Sequence, residues 1–373
     1  MTGVVLPMNS HRVSGFDGLR GLAALAVFME HKVLSGIGLG GLGVMLFFAL
    51  SGYLIIGTLH KQRGRIDACS SSVRDAMFDF WTRRILRIFP LYYLMLFLIG
   101  AWQLVGGGNL LEAGLHWYAA YVSNFFVAHI AQEWSKFSHL WSLSVEQQFY
   151  LMAAPLFLCI PIVLHRNILY MTLAASGASL LLSSFLFNNA IAFYLSPLPN
   201  FGLMAVGGLL ALESRKWAWK NTHWNLVLLS GLLMLPMIVG LEQMMLNLEQ
   251  AGKPVPIQMA AVKVLLSYWF AFSTIGYVSN RQDSVATKLL SVRWLTYIGT
   301  ISYGFYVFHL FPPSYDFVAR TLHLPPSMDF VQEYWVVVQF LMTVGIASLS
   351  WHFFEEPILR LKDSYRLRKM ATS

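Results

Sequence analysis

Long apolar runs separated by polar segments extend along the chain from residue 16 to residue 352. A run of about 20 apolar residues is long enough to cross the hydrocarbon core of a bilayer as one α-helix. Windows of this length predict about ten transmembrane helices, at residues 16–36, 41–60, 85–105, 143–163, 168–187, 198–213, 224–245, 257–278, 294–312 and 332–352. The pattern therefore predicts an all-α fold and a polytopic integral membrane protein.

Two segments between the predicted helices are longer than ordinary turns, and a basic tail follows the last helix. Residues 60–84 form a predicted basic cytoplasmic loop, residues 106–142 a predicted outer loop, and residues 353–373 a basic cytoplasmic tail. We expect residues 1–373 to form one transmembrane domain with no appended soluble domain. No A-x-A-like site follows the first apolar run, so we expect no cleaved signal peptide.

The positions of the basic residues predict the orientation, because Lys and Arg accumulate in the cytoplasmic loops of membrane proteins. With both termini in the cytoplasm, 21 of the 26 Lys and Arg residues fall on the inner side, including Arg12, Arg215, Lys216 and the basic residues of the tail. The five on the outer side are Lys32, Lys136, Lys253, Lys263 and Arg320. We expect a multi-pass protein of the bacterial inner membrane.

The composition excludes an ordinary soluble domain, since only 12% of the residues are charged and soluble domains average about 25%. The net charge of +8 is explained by the basic inner loops, so we expect membrane lipid and no nucleic acid as a partner. Cys69 and Cys159 are the only cysteines, which argues against a disulfide framework or a zinc site. We expect no metal and no bound cofactor, and the oligomeric state is left open.

The first predicted helix carries two ionisable residues on one face, Arg20 and His31. Eleven residues of α-helix separate them by about 20° around the axis and roughly 16 Å along it. Ionisable side chains within a membrane span are costly and usually functional. Arg20 can bind an anion at the cytoplasmic entrance, and a neutral His31 in the outer half can act as a general base. The alternative is a structural histidine that is hydrogen-bonded between helices.

The third predicted helix opens with the basic cluster Arg83, Arg84 and Arg87. Guanidinium groups bind phosphates bidentately, so this cluster suits a phosphorylated ligand. The alternative is a purely topological role at the membrane surface, with contacts to lipid headgroups.

The fourth and ninth predicted helices each carry a polar stripe. Ser142, Glu146 and Tyr150 recur every four residues, and Tyr306 and His309 lie on one face of the ninth helix with Ser302. Glu146 can orient an imidazole or bind sugar hydroxyls, and the neighbouring Trp141 can stack on a sugar ring. The alternative is a hydrogen-bond network that packs the helices together. Near the end of the chain, Glu355 and Glu356 are expected to pair with nearby arginines.

Six motifs occur along the chain in a fixed order: DGLRGLAAL, FFALSGYLI, RRILRIFPLYY, HLWSLSVEQQFYL, ISYGFYVFH and FFEEPI. The ordered series resembles integral membrane acyltransferase family 3, whose members are O-acyltransferases of surface glycans and some antibiotics. The resemblance implies transfer of an acyl group, usually acetyl, from cytoplasmic acyl-CoA to an extracytoplasmic hydroxyl. It also implies that His31 is the essential histidine, supported by Arg20, the Arg83–Arg87 cluster and Glu146. Glu30 departs from the family pattern, in which this position is commonly apolar or aromatic.

The residues and the resemblance agree on one mechanism. The CoA phosphates would dock on Arg83, Arg84 and Arg87, and the thioester would reach His31 between the helices. His31 would take the proton of the acceptor hydroxyl, or would itself be transiently acylated. The candidate donors to the developing oxyanion are Ser51, Ser142, Ser144 and Tyr150.

The acceptor cannot be read from the sequence. A glycan or glycolipid is favoured, which includes lipopolysaccharide O-antigen, exopolysaccharide and lipid-linked oligosaccharide, and a macrolide-like secondary metabolite is an alternative. Two other functional classes are weighed against an acyltransferase. One is a polysaccharide or small-molecule transporter or flippase, and the other is a non-catalytic membrane scaffold.

Overall fold

The computed structural model describes residues 13–105, 114–135, 137–187, 189–214, 217, 219–323 and 330–361. Within these ranges all regular secondary structure is helical. Several positions used in the prediction of orientation lie outside the described residues, namely Arg12, Lys136, Arg215, Lys216 and the tail from Lys362 onward. Part of the predicted outer loop, at 106–113, also lies outside them.

Twelve helices organise the fold, and we number them in chain order. They are α1 (Phe16–Lys32), α2 (Leu39–Asp67), α3 (Val73–Val105), α4 (Trp141–Cys159), α5 (His165–Leu181), α6 (Pro197–Glu213), α7 (Asn221–Leu232), α8 (Met234–Gln250), α9 (Ile257–Asn280), α10 (Arg293–Thr300), α11 (Ser302–Phe308) and α12 (Phe330–Ser350). Further short helical segments occur at Leu115–Ala119, Ser123–Phe125, Phe126–Ala131, Ser138–Leu140, Ile162–Leu164, Ser183–Leu186, Ala190–Leu195, Val285–Leu290, Tyr315–Leu322 and Trp351–Glu355.

Each of the ten predicted membrane segments coincides with helical structure. Six helices of the described chain are long and apolar enough to cross a membrane: Leu39–Asp67, Val73–Val105, Ala190–Glu213, Asn221–Gln250, Ile257–Asn280 and Val331–Leu361. This supports a multi-pass membrane protein. The count of ten crossings and the orientation of the termini stay predictions.

Most of residues 60–84, which were predicted to form a basic loop, are helical in the structure. Helix α2 continues to Asp67 and α3 begins at Val73, so residues 68–72 alone connect them. The apolar pattern ends near residue 60, but the Lys, Gln and Arg residues that follow are good helix formers, so the helix continues beyond the apolar run. Both helices therefore present their basic residues from helical backbone.

The predicted ninth helix is also corrected, because the structure divides residues 294–312 into two short helices. Helix α10 ends at Thr300 and α11 begins at Ser302. At the junction Gly299 lies directly against α1, where a Cβ atom would be 1.8 Å from the Asp17 carbonyl oxygen. The β-branched residues Thr300 and Ile301 follow it, and such residues have reduced helix propensity. The break lets α11 leave the line of α10.

Helix α2 is the centre of the fold and packs against α1, α4 and α6. Its closest contact is with α6, where glycines on both helices face the partner backbone. A Cβ atom at Gly52 would lie 1.9 Å from the Met204 carbonyl oxygen, and one at Gly207 would lie 1.8 Å from that of Ala49. Small residues at such crossings let membrane helices approach closely. Helices α1, α3, α4 and α11 complete the walls around the buried polar residues.

Candidate active site

Arginine side chains from two helices converge on a cavity of about 90 Å³, which we call the arginine cavity. Arg20 of α1 and Arg84 and Arg87 of α3 line it, together with Glu146 of α4. Within the described ranges none of the three arginines forms an ion pair. The lining of the cavity carries three guanidinium groups and one carboxylate, which favours binding of an anionic group. Asp17 and Glu355, which are not part of the lining, interact electrostatically with Arg20 and Arg87.

Glu146 is held by hydroxyl groups inside the arginine cavity. Ser51 of α2 and Tyr150 of α4 both donate hydrogen bonds to its Oε1 atom, and the Arg84 guanidinium lies 5.5 Å from the Tyr150 ring centroid. The three residues of the predicted stripe, Ser142, Glu146 and Tyr150, all line this cavity. The structure therefore places Glu146 among the arginines and hydroxyls.

Two sequence-predicted residues lie outside this group. Arg83 pairs with Asp79 one turn earlier on α3 and does not line the arginine cavity. Ser144 is fully buried, and its hydroxyl lies 2.8 Å from that of Ser123. It is two residues from Ser142 on α4, so it is turned about 200° away from the cavity. The structure does not bring either residue to the other candidates.

His31 lies in a second and larger cavity of about 870 Å³, which we call the histidine cavity. Its Nδ1 atom is 2.8 Å from the Val27 carbonyl oxygen. A carbonyl can only accept, so Nδ1 carries the proton in this bond, and the lone pair of the neutral ring is on Nε2. This is the tautomer that a general base needs.

Two further histidines form a cluster with His31, in which His309 lies between His31 and His139. The ring centroids of His31 and His309 are 5.0 Å apart, and those of His309 and His139 are 5.1 Å apart. His309 is fully buried, with Nδ1 2.6 Å from the Tyr306 carbonyl oxygen and with no hydrogen-bond partner at Nε2. Among the described residues no group of three His, Cys, Asp or Glu side chains is arranged to hold a metal ion.

His139 was not among the predicted site residues, although it is the first residue of the motif HLWSLSVEQQFYL. It lies in the one-turn helix Ser138–Leu140, before α4 begins, so it has no place in the helical periodicity of α4. Its Nε2 atom is 3.3 Å from the Val307 carbonyl oxygen of α11. The motif HLWSLSVEQQFYL was the available signal, because it already contained the histidine.

The two cavities meet at a shared wall formed by Val44 and Tyr306. The Tyr306 hydroxyl donates a hydrogen bond to the His139 carbonyl oxygen at 2.7 Å. The Ser142 hydroxyl lies 2.7 Å from the Tyr306 hydroxyl. The wall thus connects the polar stripe of α4 with the histidine cluster. The arginine cavity, lined by Arg20, Arg84 and Arg87, therefore lies next to the histidine cavity, which is lined by His31 and His139.

Glu30, the departure from the family pattern, has a structural explanation. Its carboxylate accepts hydrogen bonds from the backbone of Gly36 at 2.6 Å and of Leu39 at 2.7 Å. It satisfies free N–H groups at the start of α2, where no side chain of α2 itself provides a cap. Glu30 therefore fixes the short connection that follows His31.

The remaining acidic and aromatic candidates have separate roles. Trp141 lines the histidine cavity and packs against Tyr194, with ring centroids 5.1 Å apart. Glu356 pairs with Arg360 at 2.7 Å. Glu355 is buried, accepts a hydrogen bond from Ser350 at 2.8 Å and interacts electrostatically with Arg87.

Comparison with known proteins finds relatives that are named as O-acetyltransferases. The chain is 29% identical to YrhL of Bacillus subtilis (strain 168), provisionally named a peptidoglycan O-acetyltransferase, over 93% of this chain and 55% of the relative. It is 26% identical to O-acetyltransferase OatA of Staphylococcus aureus (strain NCTC 8325 / PS 47), over 92% of this chain and 57% of the relative. It is 27% identical to peptidoglycan O-acetyltransferase OatA of Listeria monocytogenes, over 93% of this chain and 56% of the relative.

This chain spans little more than half the length of these relatives. No solved structure matches it at a significant level. The sequence profile of the acyltransferase domain family matches residues 13–353, which include both cavities and every helix from α1 to α12. The chain therefore belongs to the integral membrane acyltransferase family 3.

Proposed function

We propose that this protein is a membrane O-acetyltransferase that moves an acetyl group from cytoplasmic acetyl-CoA to a hydroxyl of an extracytoplasmic glycan. The observation that carries the proposal is that Val44 and Tyr306 line both the arginine cavity and the histidine cavity, so the two cavities lie side by side. One compartment is suited to an anionic donor, and the other holds a base with an open lone pair.

The donor would bind through its phosphates to Arg20, Arg84 and Arg87, whose charges are not neutralised by ion pairs within the described chain. Guanidinium groups suit this task because their paired N–H groups match phosphate oxygens. Arg20 and His31 lie on one helix, roughly 16 Å apart along its axis. Helix α1 would therefore run from the phosphate site to the reacting group.

In the chemical step His31 acts as a general base. Its Nε2 atom takes the proton of the acceptor hydroxyl while the hydroxyl oxygen attacks the thioester carbonyl. The carbon–sulfur bond then breaks, the acetyl ester remains on the acceptor, and the proton passes from His31 to the departing CoA thiolate. Tyr306 and Ser142 are favoured as oxyanion donors because they lie at the shared wall, where the Tyr306 hydroxyl would exchange its bond to the His139 carbonyl oxygen for one to the oxyanion. Ser51 and Tyr150 lie in the arginine cavity and donate to Glu146.

The acceptor is proposed to be a bacterial cell-surface glycan of the peptidoglycan type. Two of the relatives carry peptidoglycan in their names. The histidine cavity supports a sugar acceptor, since it is about 870 Å³ in volume and Trp134, Trp141 and Tyr194 contribute to its lining. The multi-pass chain would act from the bacterial inner membrane, with the arginine cavity supplied from the cytoplasm.

The test is acetyl transfer by the purified protein in proteoliposomes, with isotope-labelled acetyl-CoA and a soluble peptidoglycan fragment. We expect the wild-type protein to add one acetyl group to the glycan, detected by mass spectrometry, and His31→Gln to lose activity by a factor of about 100 or more. His129→Gln is the matched control, because His129 is exposed and lies outside both cavities. Wild-type rates in His31→Gln would overturn the role of His31.

The same preparation separates this proposal from its main rival. A transporter or flippase would move labelled glycan across the vesicle membrane without consuming acetyl-CoA. Glycan movement with no thioester cleavage would therefore reject the acetyltransferase proposal.

A further inference from the structure

The histidine cavity contains a buried ion pair that the proposed transfer chemistry does not use. Lys263 of α9 and Glu242 of α8 form it, and the Lys263 side chain is only 8% exposed. An ammonium group in an apolar helix loses its hydration, and an ion pair recovers this cost only in part. Two apolar side chains would pack these helices at lower cost. The pair therefore calls for a function.

The cavity around the pair offers polar and aromatic groups together. The Lys263 ammonium lies 5.7 Å from the Tyr194 ring centroid. Tyr194 in turn contacts the rings of Trp134 and Trp141, with centroid distances of 6.4 and 5.1 Å. All five side chains line the histidine cavity, so charge and ring surfaces face the same space.

Two adjacent glycines connect the ion pair with the reacting histidine. A Cβ atom on Gly40 would lie 3.7 Å from His31 Cε1, whereas one on Gly41 would lie 3.5 Å from Lys263 Nζ. Consecutive Cα atoms are about 3.8 Å apart. His31 and Lys263 therefore lie against consecutive residues of α2 and line the same cavity, which places the ion pair within reach of an acceptor bound at His31.

We propose that Lys263, Glu242 and Tyr194 form an acceptor subsite that recognises a neutral N-acetylated sugar ring. This inference rests on the proposed function. Glu242 accepts from a sugar hydroxyl, Lys263 donates to a hydroxyl or amide oxygen, and the aromatic rings cover an apolar face of the sugar. Because the two charges compensate each other, the subsite discriminates against sugars that carry a net charge of either sign.

Removal of one charge should therefore change which sugar is accepted. In Lys263→Gln the Glu242 carboxylate loses its cation, and a sugar amine can take its place. We expect the apparent KM for N,N'-diacetylchitobiose to rise about tenfold or more, while the de-N-acetylated disaccharide becomes a better acceptor than it is for the wild-type protein. The apparent KM for acetyl-CoA should stay within about twofold of the wild-type value, because the arginine cavity is unchanged.

The exchange variant Lys263→Glu with Glu242→Lys distinguishes recognition from packing. It keeps an ion pair between α8 and α9 but exchanges the donor and the acceptor. We expect the exchange to restore the thermal stability lost in Lys263→Gln while the KM for diacetylchitobiose stays high. Recovery of both properties would overturn the subsite and assign the pair to packing.

Lys61→Gln is the matched control, since Lys61 is exposed and lines neither cavity. It should leave both KM values within about twofold of the wild type. If Lys263→Gln shows an unchanged preference between the two disaccharides, the subsite is rejected while the acetyltransferase proposal stands. If the wild-type protein acetylates no glycan at all, the proposed function itself has failed.

Discussion

At the residue scale, position within one helical turn decides which arginine reaches the site. Arg83 and Arg84 are neighbours in the sequence, but consecutive residues are turned about 100° apart around a helix. Arg84 faces the arginine cavity beneath the Tyr150 ring, and Arg83 pairs with Asp79 along its own helix. The sequence cluster of three arginines therefore divides into Arg84 and Arg87, which line the cavity, and Arg83, which forms an ion pair along its own helix.

This division predicts different effects for two adjacent substitutions. Arg84→Ala should raise the apparent KM for acetyl-CoA about tenfold or more, since a hydrogen bond to a charged group contributes about 1.5–3 kcal/mol. Arg83→Ala removes a partly exposed i,i+4 pair and should change that KM by less than about twofold. Steady-state kinetics at varied acetyl-CoA concentration measures both. Equal losses in the two variants would show that the cluster acts through its total charge and not through the cavity.

At the element scale, the crossing of α2 and α6 depends on the absence of side chains. Gly52 and Gly207 each face a backbone carbonyl of the partner helix at a distance that leaves no room for a methyl group. Backbone atoms cannot rotate away as a flexible side chain can, so a Cβ atom there forces the helices apart. The separation would also move Ser51, which neighbours Gly52 and donates to Glu146.

We therefore expect Gly52→Ala to lower the thermal unfolding temperature of the detergent-solubilised protein and to reduce acetyl transfer. Overpacking of this kind typically costs about 1–3 kcal/mol. Gly240→Ala is the control, because no atom lies within 4 Å of its Cβ position and alanine has the higher helix propensity. It should keep the wild-type unfolding temperature or raise it slightly. A Gly52→Ala protein as stable as the control would contradict the close crossing.

At the scale of the whole molecule, the predicted orientation places the α2–α3 connection in the cytoplasm, and Cys69 lies there as an exposed free thiol. In a Cys159→Ser background, a membrane-impermeant maleimide should label Cys69 only after the cells are permeabilised. Ala251→Cys, introduced into the same background with Cys69→Ser, lies at an exposed position in the predicted outer loop between α8 and α9 and should react in intact cells. Mass spectrometry of the labelled protein measures both. The opposite pattern would reverse the predicted orientation, and with it the side from which the arginine cavity takes its donor.

The sequence predicted features that depend on the periodicity of one helix, and it did not predict features that depend on contacts between helices. The helical positions of the ten apolar segments and the stripe of Ser142, Glu146 and Tyr150 were predicted, because both depend on periodicity within one helix. The end of α2, the break at Ile301 and the buried contact of Ser144 with Ser123 were not predicted. Each depends on helix propensity beyond the apolar run or on contacts with another helix.

The sequence alone determined the class of the protein, since hydropathy requires a membrane fold and the ordered motifs identify the acyltransferase family. It also selected Arg20 and His31, because one helix carries both. Only the tertiary structure decided which partners they have. The contacts of Arg20 with the arginine cavity, of His31 with His309, and of Lys263 with Glu242 join helices far apart in the chain. Packing of side chains across helices has no periodicity along the sequence, so these arrangements required the folded molecule.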